Sequence, residues 1–534
     1  MSDRLGRFAL LCAGIVFAGH LLDQPLFGGK AFRGGPDAVR WRDGRLRLEI
    51  SRAVHTGGDA GVAAEESVDR VHRAVADAIR AWAGERAGLE IEVGYTPETA
   101  VASGVNLVTF TDTAPFDNGT CDPAIFIACT VLRYDELSGE ILGAAVAFNP
   151  YKRHSASGIA ATHDIGLVML HEMGHVLGLD HSAVLNSVMA AEVELEPGSA
   201  PRAIFPLRQL SSDDRLTIAA LYRPGELSRI EGSVTEDGAS VAGAHVIAID
   251  RGGHPTVGAF TAADGSYSLA VPSGEYLLAV EPLDGPVVPG QFFTVRDAAA
   301  PFPTLFWSVD GGSAAEGEWI VAEDGVVREA IGFAIRRRPV VNAATVGVIE
   351  NGAYWGAART QIAQGATYTL GVTRNPDDGP GSLGLLGEGW RLDGAATSPS
   401  AAPQLLRQKL SANSDPGAYV LAYRNESGVS LLAGGVTVVR QPKVESAFVD
   451  GVLVITGSDL AAAELAAEEH AGAGDNPLPG PSQLGGVAVR SQGRWLPLRA
   501  VGPGMIIADA PAPDAGEVAV VTGAGVETTV KIAR

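Results

Sequence analysis

The sequence predicts a multidomain chain: a mixed α/β region over residues 38–225, then two or three β-sandwich domains to residue 534. Three observations lead there. First, 534 residues exceed what a single hydrophobic core serves. The 67 glycines and 31 prolines, with only 19% charged and 6% aromatic residues, suit short strands joined by many turns. Second, apolar residues before Pro224 recur at helical spacing in three stretches. Third, beyond Pro224 the period changes to two, and turn signals such as Asp237-Gly238, Asp264-Gly265 and Ser273-Gly274 separate short runs.

The N-terminus has the pattern of an export signal. Arg4 and Arg7 precede an apolar run over 8–17, and Val16-Phe17-Ala18 ends it with a small residue. This predicts a signal peptide over 1–18 and a lead-in linker over 19–37. No later segment spans a bilayer. The expected location is secreted or extracellular, with a periplasmic or membrane-anchored form if the signal stays uncleaved. The net charge of −22 excludes nucleic acid as the main partner, because phosphate binding needs clustered Lys and Arg.

Strands are predicted at 46–50, 89–95 and 105–112. Between the first two, Val68, Val71, Val75, Ala78, Ile79 and Trp82 mark one face of a helix, with Trp82 read as core. Cys121 and Cys129 stand eight positions apart. In an exported chain they read as one local disulfide, with two buried thiols as the other reading. Residues 130–149 read as two strands turning at Glu136–Gly139. An amphipathic helix follows over 164–179, capped by Asp164 and ended by Gly178. Ser211 caps a last helix over 211–222. After it come β-rich units at 228–300, 336–442 and 443–534, with 301–335 as linker or irregular β.

The 164–179 helix carries the chemistry. Its end reads LHEMGHVLGLDH over 170–181, so three of the chain's 11 histidines fall within eleven positions. Residues i and i+4 share a helix face, so His171 and His175 point at one place. His181 joins them only if the helix stops in between. Gly178 allows that stop, because glycine enters left-handed backbone space without steric cost. Three neutral imidazoles leave a zinc ion with an open position, and Glu172, beside His171, is placed to act as general base on a metal-activated water. The reaction class is peptide hydrolysis.

HEMGHVLGLDH resembles the HExxHxxGxxH string of the metzincin metalloproteases. Met189, eight residues past His181, occupies the position of their methionine turn. LGLDH, the spacing to Met189, the closing segment LSSDDRLTIAALY and the strand GEILGAAVAFN resemble the matrixin branch. The likeness covers about residues 38–223. It implies a metzincin-type catalytic domain, a twisted five-stranded mixed sheet with long helices, and an extended substrate along an edge strand near 125–134. It also implies one catalytic Zn2+ held by His171, His175 and His181, with Gly178 and Met189 as structural residues of the site. Three features depart from the branch. FRGGPD (32–37) has no cysteine for a thiolate switch. His154 and His163 stand alone, so no structural zinc is assigned. Ala190-Ala191 follow Met189, so residues 190–210 are expected to reshape the pocket wall.

Residues 230–282 resemble the carboxypeptidase regulatory-like, transthyretin-type sandwich, and the later units look immunoglobulin-like in a generic way. Asp112 and Asp135 offer oxygens for Ca2+, but no spacing draws them together. The expected partners are protein or peptide substrates, with extracellular-matrix or cell-surface polymers as targets of the β domains. A second reading of the same residues is a surface adhesin or structural protein carrying an inactive metzincin domain.

Overall fold

The computed structural model describes residues 8–12, 38–55, 60–64, 66–84, 87–157, 159, 162–191, 208–292, 301–312, 316–336, 340–350, 353–461, 465–466, 484, 487–522 and 527–533. In the first region these form strands β1 (Phe8–Cys12), β2 (Arg45–Ser51), β3 (Gly61–Val62), β4 (Glu90–Thr96), β5 (Leu107–Thr109), β6 (Ala128–Asp135), β7 (Ile141–Phe148), β8 (Arg153–Ser155) and β9 (His163–Asp164). The helices are α1 (Val68–Ala81), α2 (Ala114–Asp117), α3 (Ile165–Val176) and α4 (Ser212–Tyr222).

The main sheet runs β1-β6-β7-β5-β2-β4. β2 pairs in parallel with β4 and β5, and β5 with β7. Parallel neighbours need a crossover, which α1 provides between β2 and β4. β6 turns back antiparallel on β7. The sheet has six strands where five were expected. The sixth is Phe8–Cys12, from the run read as an export signal, paired antiparallel to β6 from Phe8↔Asp135 to Cys12↔Val131. An outermost strand leaves backbone donors and acceptors unpaired, and an extended apolar segment satisfies them.

α1 begins at Ser67, whose hydroxyl accepts from the Arg70 amide at 3.2 Å. Its face Val71, Val75, Ala78 and Ile79 is buried against α3 and the sheet. Trp82 is core, and its indole N–H reaches the Leu170 carbonyl at 2.9 Å. α3 departs from the amphipathic expectation, since all twelve of its residues are buried. It packs against α1, β6 and β7 and so has no solvent face to keep polar.

The next region forms two facing sheets. Their strands are β10 (Ser228–Glu236), β11 (Ala239–Ser240), β12 (His245–Asp250), β13 (Pro255–Phe260), β14 (Ser266–Val271) and β15 (Gly274–Glu281). One sheet runs β11-β10-β14, and the other runs β13-β12-β15 and continues to Leu305–Phe306. Among the described residues of 301–335, the stretch read as linker or irregular β, four short strands pair with this sandwich. Leu305–Phe306 and Trp319–Ala322 pair with β15, while Val327–Arg328 and Phe333–Ile335 run parallel to β10. Strands from Ala343 to Val439 make two further sheets, and those from Lys443 to Ala533 make a nine-stranded one.

These regions share side chains. Ala183 and Leu185, just past the third histidine, belong to one apolar cluster with Phe260, Leu283, Val287, Phe292 and residues of the third region such as Val346 and Leu432. The Leu185 amide donates to the Ala433 carbonyl at 2.7 Å, and Arg359 donates to the Leu185 carbonyl at 3.0 Å.

Candidate metal centre

Asp164 caps α3 by accepting from the Leu167 amide at 2.9 Å, and Arg208 pairs with it at 2.8 Å. Five residues after Ile165 the helix reaches Leu170-His171-Glu172, with His175 one turn on. It then ends in a Schellman motif: the Gly178 amide bonds to His175 O and the Leu179 amide to Gly174 O, both at 2.9 Å. Gly178 has φ +95°, and a Cβ there would lie 2.0 Å from the Val39 carbonyl oxygen. Two independent constraints therefore require glycine, one from conformation and one from the neighbouring chain.

The three rings converge. One nitrogen from each of His171, His175 and His181 lies within 4.8 Å of the others. The Nε2 atoms of His171 and His175 stand 3.1 Å apart. Each Nδ1 faces a backbone carbonyl: Val188 for His171 at 2.6 Å, Leu179 for His175 at 2.8 Å and Gln291 for His181 at 2.5 Å. A carbonyl oxygen only accepts, so each Nδ1 carries the proton and each Nε2 presents a lone pair. Burial favours the neutral rings. It lowers His171 to about 3, helped by nearby His181, and drives His175 well below its ordinary value, helped by His171 and His181. Three lone pairs gathered in this way repel one another unless a cation lies among them. A neutral three-imidazole donor set fits zinc.

Glu172 is buried beside this cluster, and burial raises its carboxyl to about 7 against the lowering effect of a hydrogen bond from Thr130. The Thr130 hydroxyl, on β6, donates to Oε2. Sequence reasoning missed Thr130, because strand-to-helix proximity leaves no local spacing to read.

Met189 is buried, and its sulfur lies so close beneath α3 that a Cβ at Gly174 would stand 2.2 Å from it. The Gly174 of HEMGH thus makes room for the methionine, a role the motif alone does not display. The loop before Met189 closes on itself, with the Ser182 amide donating to Met189 O at 2.6 Å. Asp214 of α4 fastens it, accepting from Ser187 Oγ at 2.5 Å and the Val188 amide at 3.0 Å while also completing the Ser211 capping box. α4 therefore sets the carbonyl that orients His171. Asp180 accepts from the adjacent His181 amide at 2.7 Å, as a turn residue.

Cys121 and Cys129 form a disulfide. Asp112 accepts from the amides of Val101, eleven residues earlier, and Ala114, and Asp135 accepts from those of Leu137 and Ser138 in its own turn. His154 and His163, expected to stand alone, are instead register partners on β8 and β9 with ring centroids 5.9 Å apart, and neither is a member of the three-histidine cluster. The expected cleavage site at Ala18, the lead-in 19–37 and the pocket-wall segment 192–207 lie outside the described residues. Among the described residues no helix is long and apolar enough to cross a membrane.

Comparison with known proteins agrees with this geometry. The matrixin family profile matches residues 63–223, and the carboxypeptidase regulatory-like domain profile matches 229–285. Matrix metalloproteinase-C of Caenorhabditis elegans is 26% identical over 215 residues, which is 40% of this chain and 33% of that protein. The chain thus spans about a third of the length of this curated relative. Among solved structures, extracellular domains 3–5 of Drosophila OTK are 10% identical, covering 57% of this chain and 91% of that one, with a TM-score of 0.16. A DUF3823 family protein from Bacteroides ovatus is 15% identical, covering 40% of this chain and 100% of that one, with a TM-score of 0.13. At such scores these structural likenesses bear no weight. The family match and the histidine geometry do: residues 63–223 form a matrixin domain with a three-histidine metal cluster, joined in one chain to a carboxypeptidase regulatory-like domain at 229–285.

Proposed function

We propose that the chain is a secreted zinc endopeptidase, in which His171, His175 and His181 hold the ion and Glu172 is the general base. The observation that carries this reading is the convergence of three imidazole nitrogens whose partners at Nδ1 fix them as lone-pair donors. Bound there, zinc supplies Lewis acidity, which lowers the pKa of a water and polarises a carbonyl. Glu172 does the proton work. Buried beside the open position, where desolvation pushes its carboxyl upward, it takes a proton from the attacking water and returns it to the departing amine. Thr130 holds the carboxylate beside β6 while it is ionised.

β6 is the edge along which an extended substrate is read to lie. Phe8–Cys12 already takes that edge in the antiparallel sense, and a peptide laid the same way further along β6 runs past Thr130 and Glu172. Cleavage near Ala18 would carry β1 away and bare the strand. The export reading rests on the pattern of residues 1–18. The Cys121–Cys129 disulfide supports it, since such bonds persist in oxidising compartments.

The test is Glu172→Gln in the full chain, assayed on casein. The expected result is a fall in kcat/KM of about 10²–10⁴-fold with zinc content unchanged. Removal of metal by a chelator should abolish what remains. Casein hydrolysis indifferent to both treatments would leave the adhesin or structural reading in its place.

A further inference from the structure

Two of the three clustered imidazoles donate from Nδ1 to carbonyls of their own domain, and the third donates to a carbonyl outside it. Val188 turns His171 and Leu179 turns His175. His181 instead donates to the carbonyl of Gln291, 110 residues further on, in the connection between β15 and the strand Leu305–Phe306. We propose that the turn over Pro289–Gln291 completes the metal site, the Gln291 carbonyl being the group that sets the tautomer and direction of the third ligand.

His181 stands outside α3, beyond the Gly178 turn, where helix geometry no longer directs its ring. A neutral imidazole carries its proton on either nitrogen, and only the form with the proton on Nδ1 offers Nε2 to an ion. The carbonyl that selects this form is itself held firmly. The turn over Pro289–Gln291 closes through the Gln291 amide to Val288 O at 3.0 Å, and the Gln291 side chain accepts from the Val288 amide at 2.8 Å. Phe292, next in the chain, is buried edge-on against Phe260 of β13 with centroids 4.7 Å apart. Phe260 and Phe292 share a cluster with Ala183 and Leu185, two and four residues past His181. β13 is fixed in turn to α4, the Gly258 amide donating to Asp213, which also accepts from the Ser182 hydroxyl. Ring, acceptor and the loop between them are therefore parts of one packed body. Outer partners that orient a metal-binding imidazole are worth roughly 10–100-fold in metal affinity.

This inference rests on the zinc reading above, and the experiment separates the two. Full-length protein is prepared as wild type, Phe292→Ala, His181→Ala and a variant with two glycines inserted between Pro289 and Gly290. The insertion breaks the Val288–Gln291 turn that fixes the carbonyl from its other side while leaving Phe292 in the sequence to anchor the chain. Zinc affinity is measured by competition with a graded chelator, the visible spectrum of the Co2+ form is recorded, and the melting of each metal-free protein is followed as a control. The inserted variant should bind zinc about 10–100-fold more weakly, with altered cobalt bands and unchanged melting of the metal-free form. Phe292→Ala should shift affinity and spectrum in the same direction, and the insertion decides alone if that variant does not fold. Wild-type affinity and spectrum in the inserted variant, with zinc lost in His181→Ala, would overturn the proposal and leave the zinc reading intact. Zinc binding unaffected by His181→Ala would overturn both.

Discussion

His154 shows how much one buried side chain contributes to pH dependence. Its Nε2 meets the Asn149 carbonyl at 2.8 Å, and its other ring nitrogen is buried without a partner. Burial lowers it to about 4, with His163 and Lys152 pushing the same way. A base whose folded value lies below its unfolded value stabilises the fold fully above about 6.5. That stability is lost as pH falls toward 4, because the unfolded chain binds the proton first. The difference in unfolding free energy between wild type and His154→Gln should therefore shrink by up to about 3 kcal/mol between pH 7 and pH 4. Asp284, raised by burial to about 6, acts in the opposite sense over part of this range, so the comparison must be made against the variant and not read from the wild-type curve alone. A constant difference would show that His154 titrates normally. At this scale the sequence displays residues whose spacing is local. His171, His175, Gly178 and His181 stand within one helix and its turn, so their geometry follows from helix period and glycine conformation. Thr130 and Gln291 meet the site only through folding, 42 and 110 residues from their partners, and nothing in their neighbourhoods announces it.

Among the elements, α4 does more than close the domain. Its Asp214 is almost fully buried and takes hydrogen bonds from its own cap residue and from Ser187 and Val188. Asp214→Ala would leave several buried donors without an acceptor, each costing about 1–3 kcal/mol. The expected loss is about 3 kcal/mol or more, read by chemical denaturation, with zinc affinity falling because the Val188 carbonyl no longer holds His171 in place. A variant as stable as wild type would show that water replaces the carboxylate. The cap itself was readable from Ser211 and the acids after it. The grip on the methionine loop was not, because capping patterns describe one end of one helix. The periods for α1, α3 and α4 and the alternation after Pro224 are strong local signals. The buried character of α3 depends on what surrounds it, and so is a tertiary fact.

Across the whole molecule, the regions after the peptidase domain are packed onto its site. Ala183 and Leu185 lie in a core shared with the second and third regions, and Leu185 is bonded on both its amide and carbonyl sides to the third. A chain ending at residue 225 would expose those side chains and strip Leu185 of both partners. It is expected to melt lower than the corresponding unit in the full chain and to associate in solution, as read by calorimetry and size-exclusion chromatography. A monomeric fragment of unchanged melting temperature would show that the shared core contributes little. Docking between regions has no sequence period, which is why the composition suggested modules in series.

The short loop from His181 to Met189 has a lineage consequence. A cassette attached by a linker can be traded for another by recombination at the linker. Here the junction at Pro224 is a poor crossover point, because a foreign tail would bring neither the acceptor for His181 nor a seat for Leu185. Any successful exchange has to rewrite that loop and its new neighbour together, so peptidase and tail are expected to travel as a single heritable unit.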